Sequence, residues 1–174
     1  MHFRPRFLRG PKLGLERRVE AGWLAFERGE VSKAIEIWRP LASVGHTRAQ
    51  YGLGLIAIGG HADQPPNMAE AAEWMRKASD GGLASAVTTL GRMHELGQHF
   101  DQDAVEAASL YTRSANAGEV YAQIYLGSLY ERGEGVEKDS DQAFLWYRKA
   151  VEYGGEDVLA VLHDVALGDL GPAH

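Results

Sequence analysis

The sequence has no cysteine, which excludes disulfides, thiolate zinc sites and a cysteine nucleophile, and leaves the redox compartment undetermined. No apolar run approaches the roughly 20 residues that a helix needs to cross a bilayer. A secretory signal is also missing. The basic start, "MHFRPRFLRGPKLG", is followed by apolar residues that Glu16, Glu20 and Glu27 break up before any h-region can form. G-x-S-x-G, P-loop and dinucleotide fingerprints are absent. These absences set the expectation of a cytoplasmic chain without an integral membrane segment and without a cofactor. What remains is ordinary in bulk. Apolar residues make up 45% and charged residues 24% of 174 positions, enough for one domain or one short repeat array with a substantial core.

Charge is unevenly placed. Residues 1–18 hold Arg4, Arg6, Arg9, Lys12, Arg17 and Arg18 against Glu16 alone, a net +5, while the rest carries −11 and brings the chain to −6. A basic leader over residues 1–14 therefore precedes an acidic body. Pro5, Gly10 and Pro11 work against an amphipathic helix in the leader, so it reads as a flexible arm that touches the acidic body or nothing; the competing reading is an arm that meets an anionic surface. An acidic body repels phosphates, which speaks against nucleic acid as a partner.

Internal repetition decides the architecture. The segments "AIEIWRPLASVGHTRAQYGLGLIAIGG", "AAEWMRKASDGGLASAVTTLGRMHELG" and "AASLYTRSANAGEVYAQIYLGSLYERG" align without gaps, and "AFLWYRKAVEYGG" opens a fourth unit. Their leading alanines are Ala34, Ala71, Ala107 and Ala143, spaced 37, 36 and 36 apart. Three further glycine series hold the same phase: Gly45, Gly82, Gly118 and Gly154; Gly54, Gly91 and Gly127; Gly60, Gly97 and Gly133.

Each unit reads as two helices. In the first, apolar or small residues fall at offsets 0, 3, 4, 7 and 8 from the leading alanine, a helical period. Offset 4 is the large one, occupied by Trp38, Met75, Tyr111 and Tyr147. The glycines at 45, 82, 118 and 154 suit helix ends, because glycine takes the left-handed C′ conformation freely. The glycines at 54, 91 and 127 lie within the second helix, where glycine costs about 1 kcal/mol against alanine. Such a cost at one repeated position predicts close approach of a neighbouring helix. A single hairpin cannot bury its own apolar stripe, so the units are expected to stack.

The stretches "LWYRKAVEYGG", "EWMRKASDGG" and "AQIYLGSLYERGEGVEKD" resemble the Sel1-like repeat, a relative of the tetratricopeptide repeat, over roughly residues 30 to 155. The resemblance implies an all-α, right-handed α-α superhelix (a solenoid) of about three to four repeats with capping helices at both ends. Residues 15–174 then form a single repeat domain with units at approximately 31–66, 68–103, 104–139 and 140–170. Pro40 departs from the family pattern, and so does the loop "GGHADQPPNMAEA", which replaces the G-x-G-V-x-x-D signature. "RRVEAGWLAFERGEVSKA" looks like the second helix of an incomplete leading unit, with a tight turn at Gly29-Glu30. "DVLAVLHDVALGDL" reads as a C-terminal cap, or else as a homodimer contact through Val158, Leu159, Val161, Leu162 and Val165.

Family membership further implies a non-enzymatic adaptor with a protein or peptide partner, in a bacterial signalling, secretion or toxin-neutralising setting. The first helices of such arrays line the concave face. Offsets 2, 5 and 9 lie opposite the core stripe and include Glu36, Arg39, Ser43, Glu73, Arg76, Asp80, Ser109, Thr112, Asn116, Leu145, Arg148 and Glu152. The arginines at 39, 76 and 148 share one offset and suit clamping of carboxylates; the competing reading is a solvated face with pairs such as Glu36–Arg39 and Glu73–Arg76. A different class of function attaches to "HELGQHFDQD", where His94, Glu95, His99, Asp101 and Asp103 suggest a metal- or ligand-binding enzyme. Its spacing is not that of an H-E-x-x-H helix, and His94 falls at a core-facing position. Trp23, Trp38, Trp74 and Trp146 read as core. "LYERGEGVEKD" lacks EF-hand spacing and follows a helix instead of a strand, so it reads as the hinge between two repeats.

Overall fold

The computed structural model describes residues 11–62 and 64–166, and the side chains of 11–13, 155–157 and 159–166 lie outside that description. Eight helices follow one another: α1 (Pro11–Glu27), α2 (Val31–Ser43), α3 (Thr47–Gly59), α4 (Met68–Asp80), α5 (Ala84–Glu95), α6 (Ala104–Asn116), α7 (Val120–Arg132) and α8 (Ser140–Ala166). The fold is all-α and helical-repeat in kind. The chain divides after Gly81 into two compact units, α1–α4 and α5–α8.

In the first unit Trp38 is the centre, with no exposed surface. Its indole lies between two helices at glycines: a Cβ on Gly22 of α1 would stand 2.1 Å from the indole nitrogen, and one on Gly52 of α3 would stand 2.5 Å from the ring. The indole N–H donates to the Val19 carbonyl at 3.2 Å, and Trp23 packs on the ring with centroids 4.7 Å apart. Helix α1 thus meets α2 as a second helix meets the first helix of the next unit. It is held to α3 as well, through Arg48 with Glu20 and His46 with Glu16. Met75 of α4 is likewise fully buried, with its methyl 2.7 Å from where a Cβ on Gly54 would stand.

The second unit repeats this device with tyrosine. The Tyr111 ring covers Gly91 of α5, and the Tyr147 ring covers Gly127 of α7; a Cβ there would stand 2.6 Å and 2.7 Å away. The cost of a mid-helix glycine is therefore returned as interdigitation of consecutive units, as the repeated spacing predicts. Each hydroxyl finds a carboxylate one turn beyond its glycine. Tyr111 donates to Glu95 at 2.7 Å and Tyr147 to Glu131 at 2.9 Å. Within the unit, Thr88 links to Ser114 at 2.8 Å and donates to Glu119 at 2.9 Å, and the same Glu119 oxygen accepts the Ala122 N–H at the start of α7.

Helix ends follow the expected glycines at three of four places. Gly45, Gly82 and Gly118 have φ of +90°, +89° and +87°. Gly154 does not end its helix: α8 runs on to Ala166. A Cβ at Gly154 would strike Val158 and would stand 2.9 Å from Val120 of α7, so this glycine serves close helix packing and keeps a helical φ. Val158 is buried against Ile124 and Ala150, which turns it inward and away from any second copy. The side chains of Leu159, Val161, Leu162 and Val165, like the arginines at 4, 6 and 9, lie outside the described residues.

Candidate functional site

The outward faces of the first helices are built by the same period that builds the core. Because offsets 0, 4 and 7 turn inward, offsets 2, 5 and 9 turn out. In the first unit, Glu36, Arg39 and Ser43 on α2 and Glu73, Arg76 and Asp80 on α4 are all exposed. In the second unit, Ser109, Thr112 and Asn116 on α6 and Leu145, Arg148 and Glu152 on α8 are exposed too. Thr112 bonds back to the Ala108 carbonyl at 2.8 Å, so its hydroxyl hydrogen is occupied within its own helix. Arg39 and Arg148 make no ion pair or hydrogen bond with any described residue. The Glu36–Arg39 pair that belongs to the competing, solvated-face reading is not formed.

The tryptophans take core roles. Trp74 and Trp146 are half-buried against the cores of their own units, and each carries a lysine three residues on, Lys77 at 4.4 Å and Lys149 at 4.0 Å from the ring centroid. In each pair the ammonium group lies over the ring face, a cation–π contact at the rim of the core.

The His94–Asp103 stretch is not drawn together around a vacancy. His94 stacks flat on Phe100, with centroids 4.2 Å apart. Glu95 accepts from Tyr111 and from Arg132 at 2.8 Å. Asp103 caps α6 by accepting from the Val105 and Glu106 amides at 3.0 and 2.9 Å. His99 is exposed at the left-handed position of the turn, φ +70°. Among the described residues, no three histidines or carboxylates stand close enough together to hold a metal ion. Burial, followed by the Glu95 carboxylate, drives the Tyr111 hydroxyl far above its ordinary pKa, which suits a hydrogen-bond donor and not a base.

One feature is not visible in the spacing of the repeats. The long loop after α3 folds back against α2. Gly60 sits at φ +69°, His61 and Gln64 exchange backbone hydrogen bonds of 2.9 and 2.8 Å, and the Asn67 amide bonds the Ala57 carbonyl at 2.7 Å. Two adjoining cavities of about 660 and about 340 Å³ result, and both are lined by Ile35, Arg39, His61 and Gln64. The turns after α5 and α7 close with the same bond, the Asp103 amide to the His94 carbonyl and the Asp139 amide to the Tyr130 carbonyl, both at 3.0 Å. Gly133 is left-handed at φ +72°, and Asp139 caps α8 by accepting from the Asp141 and Gln142 amides at 3.0 and 2.9 Å.

The Sel1 repeat model matches residues 47–83, 84–119 and 120–154, more than half of the chain. The chain belongs to the Sel1 repeat family. Each matched unit begins with a second helix, α3, α5 or α7, and takes in the first helix that follows, which are the pairs with the most extensive packing in the molecule. Among solved structures, a Sel1 repeat protein from Oxalobacter formigenes superposes with a TM-score of 0.77 and 26% identity, covering 91% of this chain and 65% of that one. A protective antigen of uropathogenic Escherichia coli strains with an SLR fold gives 0.71 and 30%, covering 88% of this chain and 34% of that one. Cysteine rich protein B of Helicobacter pylori, at 0.58 and 22%, shares the fold over 76% of this Sel1 chain and 95% of its own. An F-box protein of Arabidopsis thaliana is 32% identical over 79 residues, which are 45% of this chain and 21% of the plant protein. The Sel1 chain described here therefore spans just under two thirds of the Oxalobacter protein and about a fifth of the plant one. Sel1 repeats as a family are non-enzymatic scaffolds for protein–protein interaction. Among the described residues, no helix is long and apolar enough to cross a membrane.

Proposed function

We propose that this Sel1-repeat chain is itself a non-enzymatic adaptor, and that it binds a protein or peptide partner along the outward faces of its first helices. The supporting observation is the exposure of offsets 2, 5 and 9 in every unit, with Arg39 and Arg148 holding guanidinium groups that no described residue satisfies. A planar guanidinium held on a rigid helix matches a carboxylate through two parallel hydrogen bonds. A net charge of −6 favours a target that is basic overall, which suits a signalling, secretion or toxin-neutralising setting in a bacterium. A cytoplasmic location is part of the proposal, and fractionation of source cells checks it.

The test is capture. Purified chain with Arg39→Glu and Arg76→Glu should retain its helical circular dichroism and lose most of a partner that the unaltered chain pulls down from lysate. An unchanged pull-down would mean that the outward faces are only solvated surface. Zinc titration by calorimetry, on the chain and on His94→Ala/His99→Ala, should give no heat that the double change abolishes.

A further inference from the structure

We infer that α1 and α8 carry matching faces, and that the partner of the face around Phe144 on α8 is α1 of a second copy of the chain. The outward faces at offsets 2, 5 and 9 play no part in it, so the inference stands apart from the adaptor reading. Phe144 is a large apolar side chain left 64% exposed. It holds offset 1 of the fourth unit, where the earlier units have Ile35, Ala72 and Ala108. Ile35 packs on the cluster that contains Leu53 and Ile56 of α3, and Ala108 is buried in the cluster that contains Leu126 and Leu129 of α7. Offset 1 is therefore the point on a first helix that the second helix of the same unit covers. The buried Gln50 and Gln123 mark the same pairing. Their side-chain amides donate to the carbonyls at offset 8, Ala42 and Ala115, at 3.1 and 3.3 Å. In the fourth unit, α8 runs on through Gly154 to Ala166, and among the described residues no second helix covers Phe144.

Helix α1 shows the opposite lack. Trp38 seats on Gly22 as Met75 seats on Gly54, which puts α1 in the register of a second helix, with residue 24 matching residue 56. Ala49, Leu53 and Ile56 of α3 are buried, and so are Ala122, Leu126 and Leu129 of α7. Their counterparts on α1, Arg17, Ala21 and Leu24, are exposed. One helix is a first helix without its second, and the other is a second helix without its first. Helix α1 of one copy thus completes the hairpin on α8 of another, with Phe144 over Ala21 and Leu24 as Ile35 lies over Leu53 and Ile56. Charge selects the same pairing. Paired helices of one unit run antiparallel, which turns the start of α1 toward the later part of α8. Residues 1–18 carry a net +5, while residues 152–166 hold Glu152, Glu156, Asp157 and Asp164 and no lysine or arginine. The asymmetry extends to the whole chain. Residues 1–81 have 12 basic and 9 acidic side chains, a net +3, which leaves 6 against 15, a net −9, in residues 82–174. Two α8 faces would bring like charges together, and so would two α1 faces, so the contact is heterologous.

The experiment is sedimentation equilibrium of the purified full chain over a wide range of concentration at low salt. The average mass should rise above 19.0 kDa as the chain is concentrated. Phe144→Glu and Leu24→Glu should each weaken the association by about tenfold or more. Both side chains are exposed, so both variants should keep the helical circular dichroism of the unaltered chain. Mixing the two variants is the decisive step. Each retains the face that the other has lost, so together they should recover a one-to-one pair and nothing larger. Added sodium chloride should weaken the association of the unaltered chain. A mass that stays at 19.0 kDa at every concentration overturns the second-copy assignment and leaves the Phe144 face to a different protein. Association that Phe144→Glu abolishes and Leu24→Glu spares would pair α8 with α8 and remove α1 as the occupant. Variants that fail to recover on mixing overturn the heterologous contact, and an association constant that does not fall with salt overturns the charge pairing. Association lost only with Arg39→Glu/Arg76→Glu would move the contact to the outward faces and overturn this one.

Discussion

The same junction is built twice with different chemistry. In the first unit, the mid-helix Gly54 is covered by Met75, and the position one turn beyond it is Ile58. In the second unit, Gly91 and Gly127 are covered by Tyr111 and Tyr147, and the positions one turn beyond are Glu95 and Glu131, which accept the phenol hydrogens. The thioether goes with an apolar neighbour and the phenol with a carboxylate. The repeat therefore specifies a gap and a plug, and whether the plug needs a polar anchor is settled locally. The loops are more alike: those after α3 and α7 end in a cap, Asn67 and Asp139, and the loop after α3 differs in its reciprocal His61–Gln64 backbone bonds.

The largest expected effect separates a rigid plug from a flexible one. Gly91→Ala pushes a Cβ into a tyrosine ring pinned by Glu95 and should lower stability by about 1–3 kcal/mol. Gly54→Ala meets only the tip of a methionine, which turns aside, and alanine's helix propensity returns about 1 kcal/mol, so its urea midpoint should barely move. Equal losses at the two sites would show that ring rigidity is not the difference.

Alkali should find the second unit first. The Tyr111 hydroxyl has its pKa raised above 10.0 by burial and then by Glu95, so the unfolded chain releases that proton at lower pH than the folded one. This contribution to stability is complete below about pH 10 and falls above it, by about 1.4 kcal/mol per pH unit for this one group. Tyr125 and Tyr147, raised by burial as well, steepen the fall. Urea denaturation at stepped pH should show the decline reduced in Tyr111→Phe, and identical profiles would discount the buried phenol.

The smallest effect is the sharpest test of the comparison. Met75→Tyr alone strands a hydroxyl beside Ile58 and should destabilise the first unit, and Ile58→Glu added to it should recover about 1 kcal/mol. A double-mutant cycle without coupling would mean that the Tyr–Glu pairing is incidental to the repeat.

Much of this fold was legible because periodicity exposes packing. The alanine and glycine phases located seven helices and the glycine gaps, and the offset that carries Trp38, Met75, Tyr111 and Tyr147 identified the plugs. Gly154 was misread for a physical reason. A glycine pair before Glu156 and Asp157 looks like a helix end, and only the bulk of Val120 and Val158 around Gly154 shows that it is a packing glycine inside α8. The carboxylate anchors left a trace, since Glu95 and Glu131 stand four residues after their glycines while Ile58 stands there before a methionine. Of the residues lining the two cavities beside α2, Arg39 was named as an outward residue, whereas His61 and Gln64 were not. They sit in the segment that breaks the repeat, where no second copy exists to compare, and a loop folding back on a helix follows from no spacing.

The division of each glycine and its plug between consecutive helices also bears on how such a chain grows. A slipped copy of any stretch running from the start of one second helix to the end of the next first helix inherits a complete gap-and-plug pair, ready to seal. A copy of a first helix with the second helix that follows it in the chain inherits a plug looking backward and a gap looking forward, and it is stable only between neighbours. Gene duplication in steps of one unit is thus screened by the register of a single hydrogen-for-methyl choice at Gly54, Gly91 and Gly127.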